Sequence, residues 1–202
     1  MFIEQVPAFV RNIFPEALWR MNPTERAVYL TFDDGPIPVI TPWVVDLLGQ
    51  YNIKATFFMV GDNIRKHPQE FMQVIEAGHK VGNHTFNHLK GLFTDTREYI
   101  ENVEKTDALI HSKLFRPPHG LLRRSLYQTL SERYQFVMWD LVTRDYNSRL
   151  QGEDVLAIVK RYARNGSIIT FHDSLRSEKN LKYALPRSID WLLEQGYSFK
   201  VF

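Results

Sequence analysis

No cysteine occurs among the 202 residues, which excludes disulfides and thiolate metal ligands and suits reducing and oxidising compartments alike. Long apolar runs are also missing, and no window approaches the roughly 20 apolar residues that a membrane-spanning helix needs. The stretch Met1 to Met21 is broken by Glu4, Arg11, Glu16 and Arg20 and has no basic start followed by an unbroken apolar run, so it does not read as a signal peptide. The expectation is a protein without a membrane span, cytoplasmic by default and exported if a leader has been removed. Charge of one sign is scarce too. The 25 Lys and Arg against 23 Asp and Glu leave a formal net charge of +2, evenly spread, and no basic block carries interleaved aromatics, so nucleic acid is not an expected partner. With 10 Gly, 10 Pro and no low-complexity stretch, the chain has no evident linker and one domain is expected. Oligomeric state leaves no signal in the composition.

What the chain does have is material for a core: 44% of it is hydrophobic, with 14 Phe, 9 Tyr and 4 Trp. Strand-like runs fall at Ala27 to Phe32, Ile53 to Val60, Lys80 to Gly82, Leu114 to Arg116, Tyr134 to Trp139, Ser167 to Phe171 and Tyr197 to Phe202. Between them, Thr41 to Tyr51, Pro68 to Ala77, Asp95 to Ser112, Arg124 to Tyr134, Glu153 to Arg164 and Leu181 to Gln195 repeat apolar residues at helical spacing. Gly78, Gly166 and Gly196 read as helix stops and Thr94 as an N-cap. About seven strands alternating with helices predict an α/β fold whose parallel sheet closes into a (β/α) barrel, distorted rather than regular because the chain is short for that architecture. Residues 1–25 read as an amphipathic segment packing on the domain formed by residues 26–202, since their mixed charges do not suit a membrane anchor.

The chemistry-bearing residues collect at strand ends. Asp33 and Asp34 close the apolar run Ala27 to Phe32, and two adjacent carboxylates there repel and resist desolvation unless a cation compensates them. His84 and His88, four residues apart, can aim at one cation from a single turn. One Asp with two His leaves an open position for water, the arrangement of catalytic rather than structural metal sites, and frees the other Asp for proton transfer. Arg116, Asp145 and His172 also fall at or a few residues beyond predicted strands, and in a (β/α) barrel those ends share the face on which active sites are built. Singly, each signal is weak, because Asp-Asp-Gly suits an ordinary turn and most exposed histidines bind nothing. His67, His79 and His111 lack such a position and read as structural.

Together, Thr31-Phe32-Asp33-Asp34-Gly35, His84-Thr85-Phe86-Asn87-His88, Arg116-Pro117-Pro118-His119-Gly120, Trp139 to Tyr146 and Ile168-Ile169-Thr170-Phe171-His172 resemble the five ordered motifs of the polysaccharide deacetylase family. The resemblance, to the NodB homology domain of carbohydrate esterase family 4, runs from about Arg26 to the C-terminus. It implies a deformed barrel and one divalent metal ion on Asp34, His84 and His88, with zinc first and cobalt, nickel and manganese also suited to these ligands. It implies Asp33 as general base held by Arg116, and the His119 N–H as a donor to an oxyanion. His172 is the implied general acid, with Asp145 supporting it ahead of Asp140 and Asp173. Thr85 and Asn87 stand either as hydrogen-bond partners of the ligands or as plain loop residues. Of Trp139, Tyr146 and Phe171, aromatics that suit either the wall of a sugar groove or core packing, Tyr146 alone is favoured as a pocket residue.

The sequence departs from the family pattern at Val142, where Asp is frequent, at Tyr146, where Trp is frequent, at Thr170, where Leu is frequent, and at His119, where an aromatic is usual. No expected ligand, base or acid is lost. The implied function is metal-dependent hydrolysis of N-acetyl groups on the hexosamines of an acetylated glycan, peptidoglycan or chitin-like, releasing acetate. The alternatives are a carbohydrate O-acetyl esterase and a glycan-binding protein that retains a metal site with little turnover.

Overall fold

The computed structural model describes residues 4–202, so the expected N-terminal segment begins outside the described residues, with Met1 to Ile3. In chain order the elements are α1 (Ala8–Arg11), β1 (Ala27–Asp33), α2 (Ile40–Gln50), β2 (Thr56–Met59), α3 (Gly61–Lys66), α4 (Pro68–Glu76) and β3 (Lys80–Asn83). They continue with α5 (Thr96–Ile110), β4 (Leu114–Phe115), a 3₁₀ turn at Pro118–Gly120, α6 (Arg124–Ser131), β5 (Gln135–Phe136) and β6 (Leu141–Val142). The last are α7 (Gly152–Tyr162), β7 (Ile168–His172), α8 (Glu178–Glu194) and β8 (Ser198–Phe199). The strands pair in parallel in the order β5-β4-β3-β2-β1-β7-β6, with β8 added beside the start of β1. This is the expected parallel α/β sheet, curled into an incomplete barrel.

β1 is the centre of the sheet and is buried along its whole length. Its alternation separates two environments. Val28, Leu30 and Phe32 join the main apolar core with residues of α2, α7 and α8, while Tyr29 packs with Phe58, Val137 and Ile168 in a separate cluster inside the curl. The β1–β7 register pairs Tyr29 with Ile168, Thr31 with Thr170 and Asp33 with His172. The barrel interior is therefore apolar at the bottom, hydroxylic in the middle and ionisable at the C-terminal mouth.

Three local expectations need correction. The strand expected over Tyr134 to Trp139 is only the two-residue β5, beside β4, and β6, just beyond the expected run, lies beside β7 on the opposite edge. The residues between them do not continue one ladder, because the carbonyls of Val137 and Met138 turn inward to Arg116 while Met138 N–H donates to Leu18 O. This segment joins the two edges, and Leu18 pairs with Val137 along the seam. The N-cap of α5 is Asp95 rather than Thr94, its carboxylate accepting from the N–H groups of Arg97 and Glu98. Gly166 does not stop α7, which ends at Tyr162 with Ala163 extended; a Cβ on Gly166 would lie 2.5 Å from Met21 O, so glycine is needed there for close approach of two backbones. The six-residue α3 was not legible from periodicity, being too short to show one.

Residues 4–21 lie along the same seam. Phe14, Ala17 and Trp19 are buried with Tyr99, Leu126, Tyr127 and Phe136, and burying one such large apolar side chain is worth about 1.5–3 kcal/mol. Asp140 is enclosed between Arg11 and Arg164, at 2.7 and 2.5 Å, and accepts from Ser167 Oγ at 2.8 Å. Glu4 pairs with Arg144 in the loop after β6.

Candidate active site

β1 delivers two neighbouring carboxylates to different places. Asp33 is the last interior-facing residue of the strand, and Asp34 follows at φ 83°, a left-handed conformation that turns its side chain away from Asp33. Inside, Arg116 Nη1 donates to Asp33 Oδ1 at 2.6 Å, to Thr31 Oγ1 at 2.9 Å and to Thr170 Oγ1 at 3.1 Å. Its Nε and Nη2 donate to the carbonyls of Val137 and Met138, and its guanidinium lies over the Phe58 ring at 4.1 Å. A fully buried cation is tolerated only with its donors satisfied, and these contacts do that while fixing the fork in one orientation.

Outside, Asp34 meets the two histidines. Its Oδ1 lies 3.2 Å from His88 Nε2 and 3.8 Å from His84 Nε2, and one ligating atom from each of the three residues lies within 4.8 Å of the others. Tetrahedral coordination at about 2.0–2.2 Å would separate ligating atoms by roughly 3.5 Å, so the donor set fits a divalent cation after small shifts. His84 Nδ1 is 2.7 Å from Arg116 O; a carbonyl only accepts, so Nδ1 carries the proton and Nε2 presents a lone pair toward Asp34. Burial lowers the His84 pKa to about 4, which keeps the imidazole neutral and able to ligate. Burial opposes ionisation of Asp34, but its hydrogen bond to His88 and the nearby imidazoles outweigh it and hold the carboxyl below the usual carboxylate range.

On the other side of β1, His172 ends β7. Its Nδ1 donates to Asp145 Oδ1 at 2.8 Å and its N–H to Asp145 Oδ2 at 2.8 Å, so one carboxylate holds both ring and backbone. Burial disfavours charging the ring, but the charge and hydrogen bond of Asp145 outweigh it and raise the pKa to about 9. The rings of Tyr146 and His172 meet edge-on with centroids 4.7 Å apart. Asp140 and Asp173 do not contact His172 through their carboxylates. Asp140 belongs to the Arg11–Arg164 cluster, whereas Asp173 is buried and accepts from Gly35 N–H at 3.1 Å and lies 2.5 Å from Thr41 Oγ1. Burial pushes Asp173 up to about 8.

His119 sits at φ 60° in the turn after β4, its ring edge-on to His88 with centroids 4.7 Å apart. The turn backs onto Trp139, since a Cβ on Gly120 would lie 2.4 Å from the indole. Phe171 is fully buried and stacks on Phe32, so it belongs to the core and not to a groove. His79 accepts from Ala55 N–H, and His111 forms the left-handed cap of α5. Left-handed non-glycine residues recur around the mouth, at Asp34, Thr85, His88, His119 and Arg144, a concentration of backbone strain of the kind found at functional sites.

Several supporting residues had no signal in the sequence. Asn63 Nδ2 donates to Asp34 O at 2.8 Å, and Asn102 Oδ1, from the middle of α5, accepts from the N–H groups of Phe86 and Asn87, shaping the loop between the two histidines. Thr31 lies within a named motif, but its bond to Arg116 depends on strand register.

The family model described as Polysaccharide deacetylase matches residues 20–137, more than half of the chain. The chain belongs to the polysaccharide deacetylase family. This polysaccharide deacetylase chain is 35% identical over 189 residues to a peptidoglycan-N-acetylglucosamine deacetylase of Bacillus cereus, covering 90% of this chain and 88% of that protein. It is 30% identical over 182 residues to the peptidoglycan-N-acetylglucosamine deacetylase PgdA of Listeria monocytogenes, covering 87% of this chain while spanning 38% of that longer relative. A solved peptidoglycan N-acetylglucosamine deacetylase, in complex with 4-naphthalen-1-yl-N-oxidanyl-benzamide, superimposes with a TM-score of 0.89 at 27% identity, over 96% of this chain and 94% of that one. The resemblance read from the five motifs and the curled parallel sheet thus agree on the family.

Proposed function

We propose that this protein is a divalent-metal-dependent hydrolase that removes the N-acetyl group from a hexosamine of peptidoglycan, releasing acetate and a free amine. The observation that carries this reading is the division of labour at the end of β1: Asp33 is committed to Arg116, and the adjacent Asp34 to His84 and His88. Asp34, His84 and His88 would hold the cation, and what it supplies there is acidification of water and polarisation of the acetyl carbonyl. Asp33, positioned by Arg116, accepts the proton of the attacking water. The His119 N–H donates to the developing oxyanion. On the opposite side, His172 gives its proton to the departing nitrogen, and Asp145 holds it in the orientation and charge state for doing so. Tyr146, edge-on to His172, borders the acetyl group.

Peptidoglycan is favoured over chitin-like glycans and acetylated xylan because both curated relatives described above are named for peptidoglycan N-acetylglucosamine. The test is acetate release from peptidoglycan fragments, N-acetylglucosamine oligomers and acetylated xylan, using chelator-treated protein before and after zinc is restored. Release from peptidoglycan fragments that exceeds the other two and returns with zinc is expected. No release from any of them by folded, zinc-loaded protein would overturn the reading.

A further inference from the structure

Asp173 is fully buried just beyond the end of β7 and has no part in the reaction described above. A buried carboxyl group is costly unless its hydrogen bonds are satisfied, and what satisfies this one is the segment between β1 and α2. Its Oδ1 accepts from Gly35 N–H at 3.1 Å, and its backbone N–H donates to Asp33 O at 3.1 Å. Those two groups belong to the peptide units on either side of Asp34. From α3, Asn63 Nδ2 donates to Asp34 O at 2.8 Å, the other end of the peptide whose N–H Asp173 holds. We propose that Asp173 and Asn63 are positioning residues that clamp the backbone around Asp34 and so preset its carboxylate as a metal ligand. The proposal rests on the metal reading above and adds what holds that ligand in place.

The clamp has a conformational preference to overcome. Asp34 stands at φ 83°, a left-handed backbone in which Cβ crowds the carbonyl that follows it, so a free chain would leave it for the extended or right-handed basin. A change of basin re-aims the Cα–Cβ bond. The carboxylate would then leave the neighbourhood of His84 and His88, where Oδ1 lies 3.8 and 3.2 Å from their Nε2 atoms. Both peptides that define this φ and ψ are bound to other elements, one to the end of β7 and the other to β7 and α3 together. The strained conformation is thereby held rather than merely visited.

The carboxyl group of Asp173 is itself fixed. Thr41 Oγ1, in the first turn of α2, donates to its Oδ2 at 2.5 Å and accepts from Ile37 N–H at 2.8 Å. Gly35 admits it, since a Cβ there would lie 2.1 Å from that Oδ2. Val60 N–H meanwhile holds Gly35 O at 3.0 Å without help from either residue, and the bond from Asp173 N–H to Asp33 O survives a change of side chain. Losing the clamp therefore loosens one ligand and leaves the path of the chain in place. Groups that orient metal ligands from behind are typically worth about 10–100-fold in metal affinity.

The test is zinc affinity, measured without substrate by competition with a chromogenic chelator, on the full chain and on Asp173→Ala, Asn63→Ala and Asp173→Asn. Leu126→Ala, in the core beneath α6 and remote from the site, serves as control. Asp173→Ala should bind zinc about 10–100-fold more weakly and Asn63→Ala about tenfold more weakly, with stoichiometry unchanged. Asp173→Asn can accept from Gly35 N–H and donate to Thr41 Oγ1. It should stay within about threefold of wild type, because the clamp is a hydrogen bond and not a charge. Leu126→Ala should lower the denaturation midpoint through the cavity it leaves while zinc affinity stays that of the wild type. Wild-type affinity in either Asp173→Ala or Asn63→Ala, Asp173→Asn as weak as Asp173→Ala, or an equal loss in Leu126→Ala would each overturn the clamp. A wild type that takes up no zinc would remove the metal reading and the clamp with it. If Asp173→Ala does not fold, Asn63→Ala, half-buried on α3, decides against the same control.

Discussion

Arg116 Nη1 lies 2.6 Å from Asp33 Oδ1, both groups withdrawn from solvent at the mouth of the curled sheet, and the same guanidinium is tied to two carbonyls of the segment that joins the sheet's edges. One side chain therefore couples the position of a catalytic candidate to closure of the barrel. Arg116→Lys keeps a positive charge but cannot reach Asp33, Val137 and Met138 together. Removing one partner of a buried pair costs about 3–5 kcal/mol, and the conservative change should approach the lower part of that range, seen as a lower denaturation midpoint, with turnover reduced at least as strongly as in Asp33→Asn. Wild-type turnover in Arg116→Lys would show that Asp33 needs no such anchor.

Replacing His84 and His88 by Ala should abolish stoichiometric zinc binding while circular dichroism stays that of the wild type, because both residues lie after β3 in the loop organised by Asn102. Equilibrium dialysis with metal analysis is the measurement. Undiminished zinc stoichiometry would remove the Asp34–His84–His88 assignment.

Asp33→Asn should bind zinc normally and lose about 10²–10⁴ in kcat on an N-acetylated substrate, since the amide preserves shape but accepts no proton from water. Normal kcat in a metal-loaded variant would exclude Asp33 as the base.

His172 has its pKa raised to about 9 in the folded protein against 6.5 for the free side chain, with Asp145 outweighing burial. Folding therefore favours the protonated ring: the stabilisation is complete below about 6.5 and is lost as pH rises through about 9. As a general acid, His172 should give an alkaline limb of kcat in the same direction, and Asp145→Asn should move that limb to lower pH. His172→Ala should damage N-deacetylation more than hydrolysis of an activated acetate ester, whose leaving group needs less protonation. Equal losses on amide and ester, or an alkaline limb unmoved in Asp145→Asn, would argue against this acid.

Asp173 acts on stability in the same direction, at lower pH. Its carboxyl is raised from 3.8 to about 8 by burial, so the unfolded chain releases this proton first and the native state becomes progressively less favoured between those pH values. Asp173→Asn can still accept from Gly35 N–H and donate to Thr41 Oγ1, and it should flatten the decline of stability across that interval in chemical denaturation. An unchanged pH profile would show that Asp173 is ionised in the native protein.

The chain's apolar pattern specified the class of fold, because the run Ala27 to Phe32 and its successors alternate with helical periodicities, and hydrophobic spacing is a local property of the chain. It also determined which residue types stand at strand ends, since Asp33, Asp34, His84, His88, Arg116, Asp145 and His172 follow runs visible without coordinates. The family resemblance named several of their partners, and the tertiary structure supplied the contacts that join them. That Asp145 reaches His172 while Asp140 and Asp173 do not depends on β6 lying beside β7, a pairing hidden because β6 is two residues long and too short to show a period. That Thr170 bonds Arg116 depends on the register of β1 with β7, and that Asn102 shapes the histidine loop depends on how α5 packs. Such contacts join residues far apart in sequence, where no periodicity reaches, and only the folded sheet brings them within hydrogen-bond distance.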